Sequence, residues 1–291
     1  MTGAHIWMKM LGKRRMTLRE AYEYGQEQLK NAGITDAVVD AWYLLEFATG
    51  LSRAEYFLRM NEEMSPEEEG RYCDYIERRA KRIPLQHITG TQEFMGLEFS
   101  VNEHVLVPRQ DTEVLVETVL DDLQPGMDVL DMCTGSGCIL LSLMKLRKVV
   151  RGTGVDISKD ALAVARTNAE KLNVQATFLQ SDLFEKVGGT YDIIVSNPPY
   201  IRSSVIEELE AEVRLYDPML ALDGKEDGLY FYRRIIGESV KFLKEKGKLY
   251  FEIGHDQGVD VKQLMEEAGF SYVTVKKDLA GLDRVVFGVY I

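Results

Sequence analysis

From residue 127 to the C-terminus, short apolar runs take turns with longer stretches whose apolar residues recur at helical spacing. A chain written this way has few options, because strands buried on both faces need helices to cover them. Strands are expected at 127–131, 152–156, 176–180, 191–196 and 248–253, with two more near 272–276 and 284–290. Helices are expected at 138–147, 159–172, 228–244 and 257–268, each amphipathic enough to lay one face on the sheet. The predicted fold is α/β: a doubly wound, seven-stranded, mostly parallel Rossmann-like sheet.

The earlier part of the chain has a different period. Residues 17–82 read as a small helical bundle, with Leu18, Ala21, Tyr22 and Leu29 along one side of a first helix that stops at Gly33. Asp36 is expected to cap a second helix running to Gly50, and Ser65-Pro66-Glu67-Glu68 to start another. Between Pro84 and Pro108 the pattern turns β-branched and aromatic, broken by Gly90, Gly96 and Asn102-Glu103, which predicts a hairpin. The expected organisation is a helical domain at 1–83, a β-hairpin connector at 84–105, and a sheet domain at 106–291 that opens with a helix at 112–123.

Charge and sparse cysteine narrow the chemistry. With 47 acidic against 35 basic residues the formal net charge is −12, which disfavours direct binding to a phosphate backbone. The one basic cluster, Lys9 to Arg15, reads as a solvated tail. No apolar run approaches the roughly 18 residues a membrane helix needs, and the N-terminus lacks secretory features, so a cytoplasmic protein is expected. Cys73, Cys133 and Cys138 form no CxxC pair and the four histidines have no ligand spacing, so no metal is expected.

The candidate chemistry lies at the ends of the predicted strands. The first runs through Val129 to Asp131 into a glycine-rich turn, Cys133, Thr134, Gly135, Ser136, Gly137, whose glycines allow close approach of a ligand to backbone. A dinucleotide fingerprint would require a third glycine where Leu140 stands. The second strand ends in Asp156, 25 residues after Asp131, where an acid accepts from the two hydroxyls of a ribose. At the third, Asp182 and Leu183 offer a polar edge and an apolar wall to an adenine. Each acid alone could equally be a turn or helix cap.

The fourth strand breaks abruptly at Ser196 into Asn197-Pro198-Pro199-Tyr200. Two prolines stiffen the loop and remove N–H donors, so the Asn197 side-chain oxygen and the Pro198 carbonyl form a rigid pair of acceptors for the two protons of an amide or amino NH2, with Tyr200 stacked on the flat group.

In these segments the chain resembles the N5-glutamine methyltransferases that modify the Gly-Gly-Gln loop of peptide chain release factors. The resemblance extends over PLQHITGTQEF, VPRQDTEVLVE, DMCTGSG, NPPY, DPMLALDGKEDGLYFYR, EIGHDQG and DLAGLDRVV. It implies S-adenosylmethionine as cofactor, with Asp131 and Cys133 to Gly137 around its methionine part, Asp156 on the ribose, and Asp182 with Leu183 at the adenine. Asn197, Pro198, Pro199 and Tyr200 would hold the substrate glutamine, with Asn197 also near the cofactor. Catalysis is assigned to Asn197, Pro198 and Tyr200. Peptide chain release factors are the implied partners, read by the helical domain, and Arg109 and Glu113 are expected to brace the domain junction. Cys133 stands where the general methyltransferase pattern has glycine, and Leu183 where an aromatic is common. NPPY alone is shared with nucleobase amino-methyltransferases acting on DNA or RNA, the alternative reading.

Overall fold

Three hydroxyl caps set the starts of the N-terminal helices. The computed structural model describes residues 15–147 and 151–291, so the basic cluster apart from Arg15 lies outside the described residues. Helices α1 (Leu18–Asn31), α3 (Arg53–Arg59) and α4 (Pro66–Ala80) begin on Thr17, Ser52 and Ser65. Each cap is answered by a glutamate three residues on, so two orphan helix-end N–H groups are satisfied reciprocally. Asp36 departs from expectation, because it makes no side-chain cap bond to α2 (Ala37–Thr49). That helix is held by burial instead: Ala37, Ala41, Trp42, Leu44, Leu45 and Ala48 all lie in the core of this unit. Helix α1 approaches α4 so closely that a Cβ at Gly25 would overlap the Tyr72 hydroxyl.

The chain divides into two compact units, one ending at Gly90 and the other spanning Thr91–Ile291. Residues expected to open the hairpin form a short helix, α5 (Leu85–Thr89), because Pro84 precedes its first turn and Gly90 ends it in the left-handed conformation. The hairpin is β1 (Thr91–Phe94) and β2 (Leu97–Ser100), turning at Met95 and Gly96. Its Phe94 and Phe99 are buried with Leu115, Val116 and Ile139, so it is built into the core of the second unit. Glu113, at the start of α6 (Glu113–Asp122), accepts from the Met95 N–H at 2.6 Å and pins that turn.

The sheet contains β3 (Asp128–Met132), β4 (Arg151–Asp156), β5 (Thr177–Gln180), β6 (Tyr191–Ser196), β7 (Leu243–Glu252), β8 (Phe270–Lys277) and β9 (Asp283–Tyr290), in the spatial order β5-β4-β3-β6-β7-β9-β8. Strands β3 to β7 pair in parallel, and the β8–β9 hairpin adds antiparallel to β7. Successive side chains of one strand enter opposite cores: Val129 packs below one face with Ile193, and Leu130 on the other with Ile194. Helices α7 (Cys138–Leu146), α8 (Lys159–Leu172), α11 (Tyr230–Ser239) and α12 (Gly258–Glu267) cover the faces.

The helix expected at 228–244 is shorter, because Tyr191 pairs with Leu243 and its N–H donates to the Phe242 carbonyl at 2.8 Å, drawing that segment into β7. After β6 the chain also forms a 3-10 turn at Ser203–Glu208 and two short helices, α9 (Ala211–Tyr216) and α10 (Met219–Leu222), none expected from the sequence. The chain runs from β3 outward to β5 on one side and then crosses to β6 on the other. That reversal opens a crevice at the carboxyl ends of the strands, where doubly wound sheets bind ligands. Among the described residues no helix is long and apolar enough to cross a membrane.

Candidate active site

One cavity lies at that crevice, and four strand ends supply its walls. Its lining includes Cys133, Thr134, Gly135 and Ser136 after β3, Asp156 to Ser158 at β4, Ser181 to Leu183 after β5, and Asn197 and Pro199 after β6. The turn after β3 is shaped by positive φ at Cys133 (62°), Gly135 (54°) and Gly137 (79°). A Cβ at Gly135 would meet nothing within 4 Å, so this glycine leaves an open cradle. At Cys133 the same left-handed backbone carries a side chain, at a cost of about 1 kcal/mol or more. Burial pushes its thiol far above the ordinary range, so it packs as a neutral group.

Asp156 is fixed by its own neighbours. Its Oδ2 accepts from the Gly135 N–H at 2.9 Å and its Oδ1 from the Ser158 N–H at 2.9 Å. Burial raises its pKa, and these N–H groups oppose the rise. Asp182 accepts from Arg234 on α11 at 2.9 Å, and the next residue, Leu183, presents an apolar wall from a left-handed backbone. A glycine cradle, a carboxylate aimed by two amides, and a half-exposed acid beside an apolar wall together fit a nucleoside joined to a short polar chain.

Four residues expected at the ligand are not among the lining residues. Asp131 is fully buried behind the turn, where its Oδ2 accepts from Thr134 Oγ1 at 2.5 Å, so it braces the loop. Burial raises its pKa from 3.8 to about 7. Gly137 serves packing rather than ligand approach: a Cβ there would lie 3.1 Å from Leu141 and 3.3 Å from Ala165. Pro198 is buried, and its neighbours Asn197 and Pro199 are the loop residues that line the cavity. Tyr200 does not stack at the cavity, because its phenol turns inward and donates to Glu252 Oε1 at 3.2 Å, giving a buried carboxylate a partner.

The loop Asn197 to Tyr200 is held from several sides. Asn197 Nδ2 donates to Thr112 Oγ1 at 3.4 Å. Gln257 Nε2 donates to the Tyr200 carbonyl at 3.0 Å and to the Gly228 carbonyl at 3.3 Å. The glycines of ALDGKEDG now have a reason: a Cβ at Gly224 would lie 2.7 Å from the Tyr200 Cα, and one at Gly228 would lie 2.5 Å from the Tyr200 carbonyl oxygen. The Gly224 N–H also donates to the Ile201 carbonyl at 2.8 Å.

Arg109 has a different place from the one expected. It lines the cavity and donates to Asp217 Oδ2 at 2.7 Å, both residues lying in the second unit. His104, left without a role by the sequence, lines the cavity too, as do Leu220 and Phe231. Thr112, Asp217, Glu252 and Gln257 were also missed. Glu252 carried the same signal as the other acids, an acidic residue ending an apolar strand. Among the described residues no group of three or more His, Cys, Asp or Glu side chains is placed to hold a metal ion.

A doubly wound sheet with this cradle at its switch point is the architecture of a methyltransferase. Residues 109–281 match the family described as the methyltransferase small domain, and residues 20–90 the one described as the PrmC N-terminal domain. A release factor glutamine methyltransferase from Caulobacter vibrioides is 43% identical, covering 94% of this chain and 96% of the relative. One from Clostridium acetobutylicum is 42% identical, covering 94% and 99%. In fold, the chain is similar to the crystal structure of a methyltransferase from Pyrococcus furiosus, with a TM-score of 0.51 and 19% identity over 67% of this chain and 90% of that one. The chain belongs to the release factor glutamine methyltransferase family.

Proposed function

We propose that this protein methylates the side-chain amide nitrogen of the glutamine in the Gly-Gly-Gln motif of peptide chain release factors, using S-adenosylmethionine, in the cytoplasm. The observation that carries this is the meeting of Asn197 with Gly135 and Asp156 in one cavity, which sets a hydrogen-bond acceptor for an NH2 group beside a nucleoside cradle. In this reading Cys133 to Ser136 receive the methionine part, Asp156 accepts from the ribose hydroxyls, and Asp182 with Leu183 meet the adenine. The bound cofactor supplies an electrophilic methyl group on a sulfonium.

The chain's own residues have to deal with a poor nucleophile, since an amide nitrogen shares its lone pair with the carbonyl. The Asn197 side-chain oxygen accepts one N–H of the substrate amide, which orients it and favours positive charge as it develops on nitrogen. Pro199 keeps the loop rigid, so little reorganisation is needed at the moment of reaction. Tyr200 contributes from behind, as an inward anchor of the loop. The extra proton leaves the nitrogen after transfer. The helical domain at 1–83 reads the partner's surface, and the excess of acidic residues suits a protein partner better than a phosphate backbone.

The test is transfer of labelled methyl from S-adenosylmethionine to a purified release factor, to its Gly-Gly-Ala variant, and to single-stranded and duplex nucleic acid. Label on the native factor alone is expected. Label on nucleic acid would replace this reading with the nucleobase one.

A further inference from the structure

A strand-to-helix connection in an α/β unit usually takes about 2–6 residues, yet residues 197–229 separate β6 from α11. Most of that length is one excursion closed at a neck. The Ile201 N–H donates to the Leu222 carbonyl at 3.0 Å, the Gly224 N–H to the Ile201 carbonyl at 2.8 Å, and the Ser203 N–H to the Lys225 carbonyl at 3.0 Å. Between the two sides of the neck lie the 3-10 turn, α9 and α10, pinned by the buried Ile206 and Leu222 and by the pairing of Asp217 with Arg109. The neck begins directly after Tyr200, and the far side of the excursion returns to the cavity, whose wall includes Pro218, Leu220 and Ala221. The excursion is therefore joined to the substrate loop at its root and reaches the cavity at its end.

Its outer surface is unlike that of an ordinary connection. Leu215, Met219 and Leu220 are 59%, 53% and 66% exposed within six residues of chain, and the last of them is in the cavity wall. Single exposed apolar residues need no explanation, but large ones gathered beside a cavity mark a surface that a partner covers. The charge is one-sided: Glu207, Glu208, Glu210, Glu212 and Asp217 stand against Arg214 alone. Arg214 pairs with Glu207 at 2.9 Å and Arg109 with Asp217 at 2.7 Å. The exposed Glu208 and Glu210 have no ion-pair partner among the described residues.

We propose that residues 203–222 form a docking platform for the substrate protein: Leu215, Met219 and Leu220 cover apolar side chains of the release factor around its Gly-Gly-Gln loop, and Glu208 and Glu210 pair with Lys and Arg there. This rests on the release factor reading above. Charge complementarity gives the occupant its chemistry. A release factor works within the ribosome, and a surface that meets an RNA backbone carries Lys and Arg. The same acidic face repels nucleic acid itself, and it repels a second copy of this chain. The two glycines before the glutamine add a reason for a platform, because they offer no side chains and recognition has to come from the surface flanking the cavity.

The experiment measures KM and kcat for methylation of a purified release factor at several NaCl concentrations, with S-adenosylmethionine affinity followed by calorimetry as a check on the fold. Three double variants are compared: Glu208→Gln with Glu210→Gln, Leu215→Ser with Met219→Ser, and Glu170→Gln with Glu245→Gln. The last is a control that makes the same charge change in the final turn of α8 and near the start of β7, at the end of the sheet away from the cavity. The glutamate pair should raise KM for the factor about 3- to 10-fold at low salt and flatten its rise with salt. The apolar pair should raise KM about 10-fold or more at every salt concentration. The control should leave KM within about twofold of the parent's. In all three, kcat at saturating factor and S-adenosylmethionine affinity should stay parental.

A parental KM in either platform pair, with methylation of the factor intact, overturns the docking platform and leaves the glutamine reading standing. So does a KM rise in the control equal to that of the glutamate pair, which assigns the effect to net charge. If the parent chain is a dimer that Leu215→Ser with Met219→Ser separates without a change in KM, the face belongs to a second copy and the proposal is likewise overturned. Absence of methyl transfer from the parent chain to any release factor overturns both readings.

Discussion

Replacing Gly228 by alanine adds one methyl group at a place where three costs meet. Gly228 has φ of 75°, a left-handed conformation that costs an L-residue about 1–2 kcal/mol. The new Cβ would lie 2.5 Å from the Tyr200 carbonyl oxygen and 2.6 Å from Gln257 Nε2, so backbone or side chain has to move. Such overpacking costs about 1–3 kcal/mol. Moving Gln257 breaks its bonds to the Tyr200 and Gly228 carbonyls, and leaving buried partners unsatisfied costs about 1–3 kcal/mol. The three costs sum to about 3–8 kcal/mol, but moving Gln257 also relieves part of the overpacking, so the expected loss is about 3–6 kcal/mol, a large share of the roughly 5–15 kcal/mol that holds an ordinary domain folded. Gly237→Ala is the matched control: this glycine is exposed on α11, its Cβ would meet nothing within 4 Å, and the change should stabilise the helix by roughly 0.5–1 kcal/mol. Urea denaturation reads both, with a midpoint drop of roughly 1–3 M for Gly228→Ala at ordinary slopes and a small rise for Gly237→Ala. Any Gly228→Ala protein that remains folded should have a raised KM for release factor, since the Tyr200 backbone is what moved. A midpoint within experimental error of the parent's would refute the close-approach reasoning.

Other perturbations probe the remaining parts of the site and fold. Asp156→Asn turns one acceptor into a donor facing a backbone N–H and should weaken S-adenosylmethionine binding by about 10- to 100-fold in calorimetry; parental affinity would remove Asp156 from the cofactor's contacts. Asp131 has a pKa raised from 3.8 to about 7, so between those pH values the folded state keeps a proton that the unfolded chain has released. Its contribution is therefore full below about pH 4 and is lost as pH rises through about 7, by up to about 4 kcal/mol. Asp131→Asn, neutral throughout, should flatten the fall in stability over that window, and an unaltered pH slope would show that Asp131 titrates normally. Gly25→Ala should destabilise the helical unit by about 1–3 kcal/mol through the clash with Tyr72, and adding Tyr72→Phe should return part of that loss in thermal unfolding. Additive losses in the double variant would place the clash elsewhere.

Periodicity together with turn residues determined the α/β class and the presence of the seven sheet strands, because the central strands are apolar throughout and stop at recognisable turns. The glycine turn after β3, the acids at strand ends and the Asn197 loop were also legible, since left-handed backbone, carboxylate acceptors and consecutive prolines each need particular residue types. What residue type could not reveal was direction. Asp131 and Asp156 both read as acids at strand ends, yet β3 runs one residue past Asp131, which lies buried behind the turn, while Asp156 is the last residue of β4 and faces the cavity. Tyr200 reads as a stacking ring until the buried carboxylate of Glu252, 52 residues away, claims its hydroxyl. The start of β7 was equally a matter of partners: a helix-forming stretch became strand because Tyr191 was there to pair with Leu243. Local chemistry chose the elements and the reactive groups, whereas their orientation came from long-range packing and hydrogen bonding, which no window of sequence contains.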